Sequence, residues 1–489
     1  MQRVAAGAAI VVAVGLYFVE RSPLWLDEAQ TVWIAHLPLG HLHAALKEDG
    51  APPLFYVLLH PWMAMFGTSN EAVRALPALF AVLSLPAFWL LAKRVPQLAA
   101  KPWLSVLLLA TCPFVIRYAT ETRMYSLVLL LVIVGALLLE RCWAVGGVLW
   151  TIAAGVVGGA LLLTQYWTLY LLLTVGAFAL VAAIKGSHAA RRIIVSLVIA
   201  GAIFAPWLPT LAYQGAHTGA PWGQPPGYDV ALLVSGSWTG GGSAAPWLGL
   251  AYYALIVVAL FGYAGDSEGL QLRRPVRRTP LLLLALALAT MLVGTVASQL
   301  SKSAYAPRYS IVVLAIVLLA LAIGIAALPT GMRNATVAVV CALGLIASAA
   351  APFERRTQAD KVANVLNTLA HPGDLVVICP DQLGPAIYRL APHAGTQVVY
   401  PTFGSPAMVD WVDYKSRNED ANSFGFARQA LSRATGVPIW LVWHGGYPTF
   451  GTACRDLYTA FTAARGRPHQ FVKPSGSAFE PEELLRFGA

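Results

Sequence analysis

The sequence predicts a polytopic α-helical membrane protein that ends in a small α/β domain outside the membrane. Three observations carry that expectation. Of 489 residues, 58% are hydrophobic and only 11% charged, more apolar surface than a soluble core absorbs. Long apolar runs recur between residues 4 and 352. From about residue 356 the pattern changes to short apolar strands alternating with helical stretches.

About eleven spans are expected, at 4–19, 75–92, 103–116, 124–139, 144–163, 167–184, 193–212, 246–264, 280–298, 309–328 and 335–352. The third and fourth are short for a full bilayer and suit tilted or partly interfacial helices. Met1-Gln2-Arg3 before the first run resembles the start of a signal peptide. No convincing small-residue cleavage site precedes Glu20-Arg21, so this run is expected to remain as the first span.

If every span crosses, Lys93, Arg94 and Lys101 share a side with Arg141, with Lys185, Arg191 and Arg192, with Arg273, Arg274, Arg277 and Arg278, and with Arg333. Short loops dense in Lys and Arg are cytoplasmic. This placement accounts for the net charge of +10 without nucleic acid. The N-terminus is then cytoplasmic in a bacterial plasma membrane. Residues 20–74, 117–123, 213–245, 299–308 and everything after 353 lie outside. Nucleotide-activated donors are not available on that face. No phosphate-cradling loop is found either, because Gly240-Gly241-Gly242 lacks a following Lys-Ser/Thr.

Within 20–74, residues 31–46 and 54–66 are amphipathic or apolar but too short to span, and suit interfacial helices. Pro52-Pro53 breaks the chain between them. In 356–489, strands are expected at 374–379, 396–400 and 438–443. Helices are expected near 358–369, 383–391, 424–435 and 453–465. This domain shows no dinucleotide fingerprint or nucleophile triad, and is expected to be a lid or an acceptor-recognition domain. Of five Cys, only Cys379 and Cys454 share the outer compartment. An oxidising exterior permits a bridge between them, and two buried thiols are the plainer alternative.

The candidate chemistry gathers in the outer loops. Asp27-Glu28 sits just past the first span, where carboxylates are costly unless water, a cation or a substrate meets them. The plain alternative is a helix start, with Asp27 as N-cap and Glu28 in the first turn. Arg117, Glu121 and Arg123 occupy a short outer turn, as a second acid with an Arg beside it or as a local ion pair. Lys302, Arg308 and Tyr309 precede the tenth span. Arg308 is either an interfacial anchor or a forked donor for a lipid phosphate. His36, His41, His43 and His60 match no zinc spacing. His60 reads as a surface histidine or a cavity residue. Gln165-Tyr166-Trp167 reads most simply as aromatic belt.

The order is Asp27-Glu28, then Pro52-Pro53-Leu54-Phe55-Tyr56, Phe66-Gly67 and Glu71 to Pro77, then Glu121-Thr122-Arg123-Met124-Tyr125 and Arg308-Tyr309. Over roughly residues 1–352 this set resembles the GT-C glycosyltransferases of the protein O-mannosyltransferase and lipid A aminoarabinose transferase type. The resemblance implies a GT-C fold and transfer of a hexose or pentose from a polyprenyl-phosphate donor to a lipid, glycan or protein acceptor. It makes Asp27 the catalytic base, with Glu28 and Glu121 orienting the acceptor or holding a divalent cation. Arg308, Arg123, Lys302 and Tyr309 would bind donor phosphate. Asp49, His60 and Tyr56 would line the acceptor site or cavity. Aminoarabinose-type relatives carry Lys before the Pro-Pro. Here that position is Ala51, which removes a phosphate-binding Lys. The rival readings are a polyprenyl-lipid flippase or a non-catalytic envelope assembly protein. A flippase would favour polar residues near the midplane, whereas these charges cluster at one face.

Overall fold

The structure, a computed structural model, describes residues 2–219, 227, 229–264, 269–274, 276–301 and 305–489, so Lys302 lies outside the described residues. The chain opens with helix α1 (Gln2–Leu16). Three short helices follow: α2 (Leu26–His36), α3 (Leu39–Asp49) and α4 (Leu54–Phe66). Next come α5 (Asn70–Arg94), α6 (Trp103–Ala110), α7 (Pro113–Ala119) and α8 (Tyr125–Ala144). Then α9 (Val148–Leu162), α10 (Thr168–Ile184), α11 (His188–Phe204), α12 (Leu208–His217) and α13 (Val230–Trp238) follow. The bundle closes with α14 (Ala245–Phe261), a hairpin of β1 (Gly262–Ala264) and β2 (Leu270–Leu272), α15 (Arg278–Ser301), α16 (Ile311–Ala326) and α17 (Thr330–Ser348).

Each expected span has helical counterparts. Among the described residues, six helical stretches are long and apolar enough to cross a membrane, and α1, α9, α10 and α14 are apolar but shorter. Two expectations need correction. The span at 103–116 is two helices, because Pro113 ends one and opens the next as an N1 residue. The stretch at 31–46 likewise splits at Leu37-Pro38 into α2 and α3.

Helix α16 is apolar on every face and buried from Ile311 to Ile325, which makes it the axis of the bundle. Small residues let other helices approach closely. A Cβ on Gly155 or Gly159 of α9 would lie 2.6 or 2.8 Å from the Cβ of Ile199 or Ile203 on α11.

The α/β domain contains α18 (Ala359–Leu369), β3 (Leu375–Cys379), α19 (Gly384–Leu390), β4 (Thr396–Val399), α20 (Tyr414–Glu419) and α21 (Ser423–Arg433). It continues through β5 (Ile439–Trp443), α22 (Ala453–Arg465), β6 (His469–Val472) and β7 (Glu483–Phe487). The sheet order is β4-β3-β5-β7-β6, parallel at β4-β3-β5 and antiparallel beyond. Both faces are covered, so β3 reads as an unbroken apolar run. Val376 and Ile378 pack with α18 and α19, while Leu375 and Val377 pack with α21 and α22. Cys379 and Cys454 are bridged. Trp25 and Leu26 belong to the second of these cores, so the domain packs directly on the start of α2.

A buried ionic cluster joins bundle, first loop and domain. Glu28 is fully buried and accepts from Arg74 Nε at 2.9 Å and Nη2 at 2.6 Å, and from Thr122 N at 2.9 Å. Arg356 approaches it at 3.5 Å, pairs with Glu20 at 2.6 Å and donates to Thr120 O at 2.9 Å. Burial pushes the Glu28 carboxyl up, but the Arg74 charge and hydrogen bonds, with Arg356 and Thr122, outweigh it and hold it down at about 2.

Removing Glu28 leaves two buried guanidinium groups facing each other. Glu28→Ala is therefore expected to cost about 3–5 kcal/mol, read as a lower unfolding temperature in detergent. Glu482, buried and bonded by Thr357 Oγ1 at 2.8 Å, is lifted by burial to about 8. Its folded value lies above the usual 4.5, so its contribution is complete below 4.5 and lost as pH rises through about 8. The unfolding temperature should fall from pH 5 to pH 9, and Glu482→Gln should remove part of that slope.

Candidate active site

Helix α2 presents its two acids to different surroundings, because successive helical residues are turned by about 100°. Glu28 points into the ionic cluster. Asp27 points into open space at the end of the bundle that carries the α/β domain. The expected N-cap role of Asp27 is corrected by the structure. The helix starts two residues earlier, with Trp25 at the cap position and no side-chain cap of its own. The cap comes instead from Glu480, whose carboxylate accepts the Leu26 N–H at 3.1 and 3.3 Å. That leaves the Asp27 carboxylate free of capping.

Two cavities meet at Asp27. One, of about 380 Å³, lies over the bundle and is lined by Asp49, Arg123, Gln165, Trp167 and Tyr309 among others. The second, of about 410 Å³, lies under the α/β domain and is lined by Trp25, His444, Tyr447, Phe479 and Glu480. Leu26, Asp27, Arg308 and Trp411 border both.

Asp27 Oδ2 lies 3.5 Å from Arg308 Nη2 and 3.9 Å from Arg123 Nε. It makes no hydrogen bond among the described residues. These are ion-pair separations too long for tight hydrogen bonds. Arg308 is set by the 3₁₀ turn Pro307–Ser310 that leads into α16, and Ser310 is in turn held by Trp238 Nε1 at 2.8 Å. The Arg308 guanidinium lies over the Tyr309 ring, which stacks on Trp167 at 5.8 Å. Arg123 follows the α7–α8 turn and donates to Thr31 Oγ1 at 2.8 Å.

Asp49 reaches the same cavity from the end of α3. It accepts from Gln30 Nε2 at 2.5 Å and Tyr56 OH at 2.8 Å. Burial raises its pKa against the opposing pull of Arg123 and those two bonds. The structure thus brings Asp27, Arg123, Arg308, Tyr309 and Asp49 together around one space.

Other expected site residues stand elsewhere. Glu28 and Glu121 line neither cavity: Glu28 is held by Arg74, and Glu121 is buried and paired with Arg117 at 3.1 Å. Among the described residues no three His, Cys, Asp or Glu converge as a cation site. Tyr56 is buried behind Asp49 as its support. His60 donates to Ala35 O at 2.7 Å and lines neither cavity. Gln165, Tyr166 and Trp167, read as belt, are cavity wall. Belt and cavity aromatics have the same composition, so the sequence held no signal to separate them. Trp411, Tyr447 and Glu480 also escaped notice, since only the folded α/β domain brings them to Asp27.

A family model described as dolichyl-phosphate-mannose-protein mannosyltransferase matches residues 50–209. No curated protein matches the chain by sequence. Among solved structures, ArnT from Cupriavidus metallidurans bound to undecaprenyl phosphate is similar, with a TM-score of 0.63 at 13% identity over 99% of this chain and 97% of that one. The arabinofuranosyltransferase AftD from Mycobacteria gives 0.55 at 13% identity over 100% of this chain and 40% of that one. The Archaeoglobus fulgidus oligosaccharyltransferase, tethered to an acceptor peptide, gives 0.52 at 13% identity over 93% and 71%. The helical bundle, its capping sheet domain and these structural matches agree with the GT-C fold expected from the sequence, and residues 50–209 are similar to the protein mannosyltransferase family.

Proposed function

We propose that this membrane glycosyltransferase moves a sugar from a polyprenyl-phosphate donor to an acceptor hydroxyl on the outer face of a bacterial plasma membrane, with Asp27 as base. The observation that carries the reading is the Asp27 carboxylate, set at the junction of two cavities and faced by Arg308 and Arg123 at 3.5 and 3.9 Å. The similarity to a protein crystallised with undecaprenyl phosphate supports the donor class.

The donor phosphate enters the bundle-side cavity and takes Arg308 and Arg123 as partners. Charge-assisted hydrogen bonds to phosphate are stronger than the loose pairs these arginines make with Asp27. Asp27 is thereby released to accept a proton. The acceptor oxygen attacks the anomeric carbon and the carbon–oxygen bond to phosphate breaks. The polyprenyl phosphate departs with the bonding electrons, and the hydroxyl proton goes to Asp27. Developing negative charge on the phosphate is offset by the two guanidinium groups. One displacement from the opposite face inverts the anomeric centre, by analogy with inverting glycosidases. Asp49 and Gln30, with Tyr56 behind Asp49, form a polar wall suited to the donor's sugar hydroxyls. Glu28 and Glu121 act through position: they fix α2 and the Arg123 turn. Lys302, outside the described residues, keeps its expected role as a candidate partner of the donor phosphate.

Sugar transfer from a synthetic polyprenyl-phosphate sugar by the purified protein tests this. Asp27→Asn should lower kcat by about 10²–10⁴-fold with donor KM little changed. Arg308→Gln should raise donor KM as well. Full turnover by Asp27→Asn would remove the proposed base.

A further inference from the structure

The cavity under the α/β domain has a chemistry of its own. Its aromatic walls come from both sides: Trp25 leads α2, while Trp411, Tyr447 and Phe479 come from the domain. Phe479 meets Trp25 edge-to-face at 5.3 Å yet is 71% exposed, an apolar ring held out at the cavity rim.

The charged groups are few. Among the described lining residues Arg308 is the single Arg or Lys, and it faces Asp27. His444 Nδ1 accepts the Gly446 N–H at 3.0 Å, and burial lowers its pKa, so it is uncharged at neutral pH. The remaining titratable walls are the carboxyls of Asp27 and Glu480 and the Tyr447 hydroxyl. Burial raises the Glu480 carboxyl well above its usual range, so a phosphate or carboxylate acceptor would meet the Asp27 carboxylate with Arg308 as the one Arg or Lys among the described lining residues.

A peptide added as an extra strand is disfavoured on different grounds. Peptides bound as strands need an open sheet edge. The edge strands here are β4 and β6, and neither contributes to the cavity wall. The domain's share of the wall comes from loops that include Gly446 and Gly476, which let a ligand approach the backbone.

We infer that this cavity is the acceptor chamber and takes an uncharged glycan, its ring face resting on Tyr447 and Phe479 with one hydroxyl directed at Asp27. The inference rests on the glycosyltransferase reading above and names its acceptor class. Sugars present alternating apolar C–H faces and hydroxyl edges, and a wall of rigid aromatics with scattered polar groups matches both. In the transfer, the glycan oxygen forms the new bond to the anomeric carbon, its proton passes to Asp27, and the donor phosphate leaves with the electron pair.

The test uses the full-length protein in nanodiscs. Binding is measured for undecaprenyl phosphate, for neutral oligosaccharides of mannose, glucose and arabinose, for a Ser/Thr-containing octapeptide and for phosphatidylglycerol. A neutral oligosaccharide should bind. Tyr447→Ala and Phe479→Ala should each weaken it by about 10-fold, the scale of one lost aromatic contact. Affinity for undecaprenyl phosphate should stay within about twofold, and Phe479→Trp should restore the sugar affinity. Phe479 is exposed apart from its edge-to-face contact with Trp25, so its replacement should lower the unfolding temperature only slightly. Binding of the peptide or phosphatidylglycerol in place of any oligosaccharide would overturn the inference, as would sugar binding indifferent to both substitutions. Failure of the wild-type protein to bind undecaprenyl phosphate would instead strike the donor reading, so the two failures are separable.

Discussion

The Glu28 carboxylate is the constraint on which the site depends. It is an acid buried in an apolar bundle, and it is tolerable only because two guanidinium groups and a backbone N–H converge on it. Those partners come from α5, from the α7–α8 turn and from the linker into the α/β domain. Satisfying one charge therefore fixes three pieces of chain against α2. The same α7–α8 turn carries Arg123, and the same helix carries Asp27. Geometry at the reacting end is thus inherited from electrostatics behind it.

The α/β domain is part of the site rather than a cover for it. Glu480 supplies the N-cap that α2 lacks, and Trp411 borders both cavities beside Asp27. Trp411 N also donates to Glu48 O at 3.1 Å, which ties the domain to α3. One cavity beside Asp27 is thus walled mainly by the bundle and the other largely by the domain.

Much of this was legible in the sequence, and the exceptions have physical reasons. Apolar length fixed the helices, and cations in turns that should lack them pointed to Arg123 and Arg308. Asp27 stood out because a carboxylate at a helix mouth needs a partner. Glu28 looked equivalent, since adjacency hides the turn of a helix that sends neighbours to opposite surroundings. Its partners Arg74 and Arg356 lie 46 and 328 residues away, beyond any local pattern. Strand β7 was missed because Glu483 and Arg486 break its apolar run, although Arg486 lies over Trp440 at 5.4 Å. The N-cap alternative for Asp27 stayed open in the sequence because the residue that caps α2 lies 454 positions away.

The most direct measurement is the position of undecaprenyl phosphate bound to the protein, seen by cryo-electron microscopy. The account predicts its phosphate between Arg123 and Arg308, beside the Asp27 carboxylate and open toward the cavity under the α/β domain. A headgroup held anywhere else, such as by Arg94 near Glu140 at the far end of α5, would contradict it.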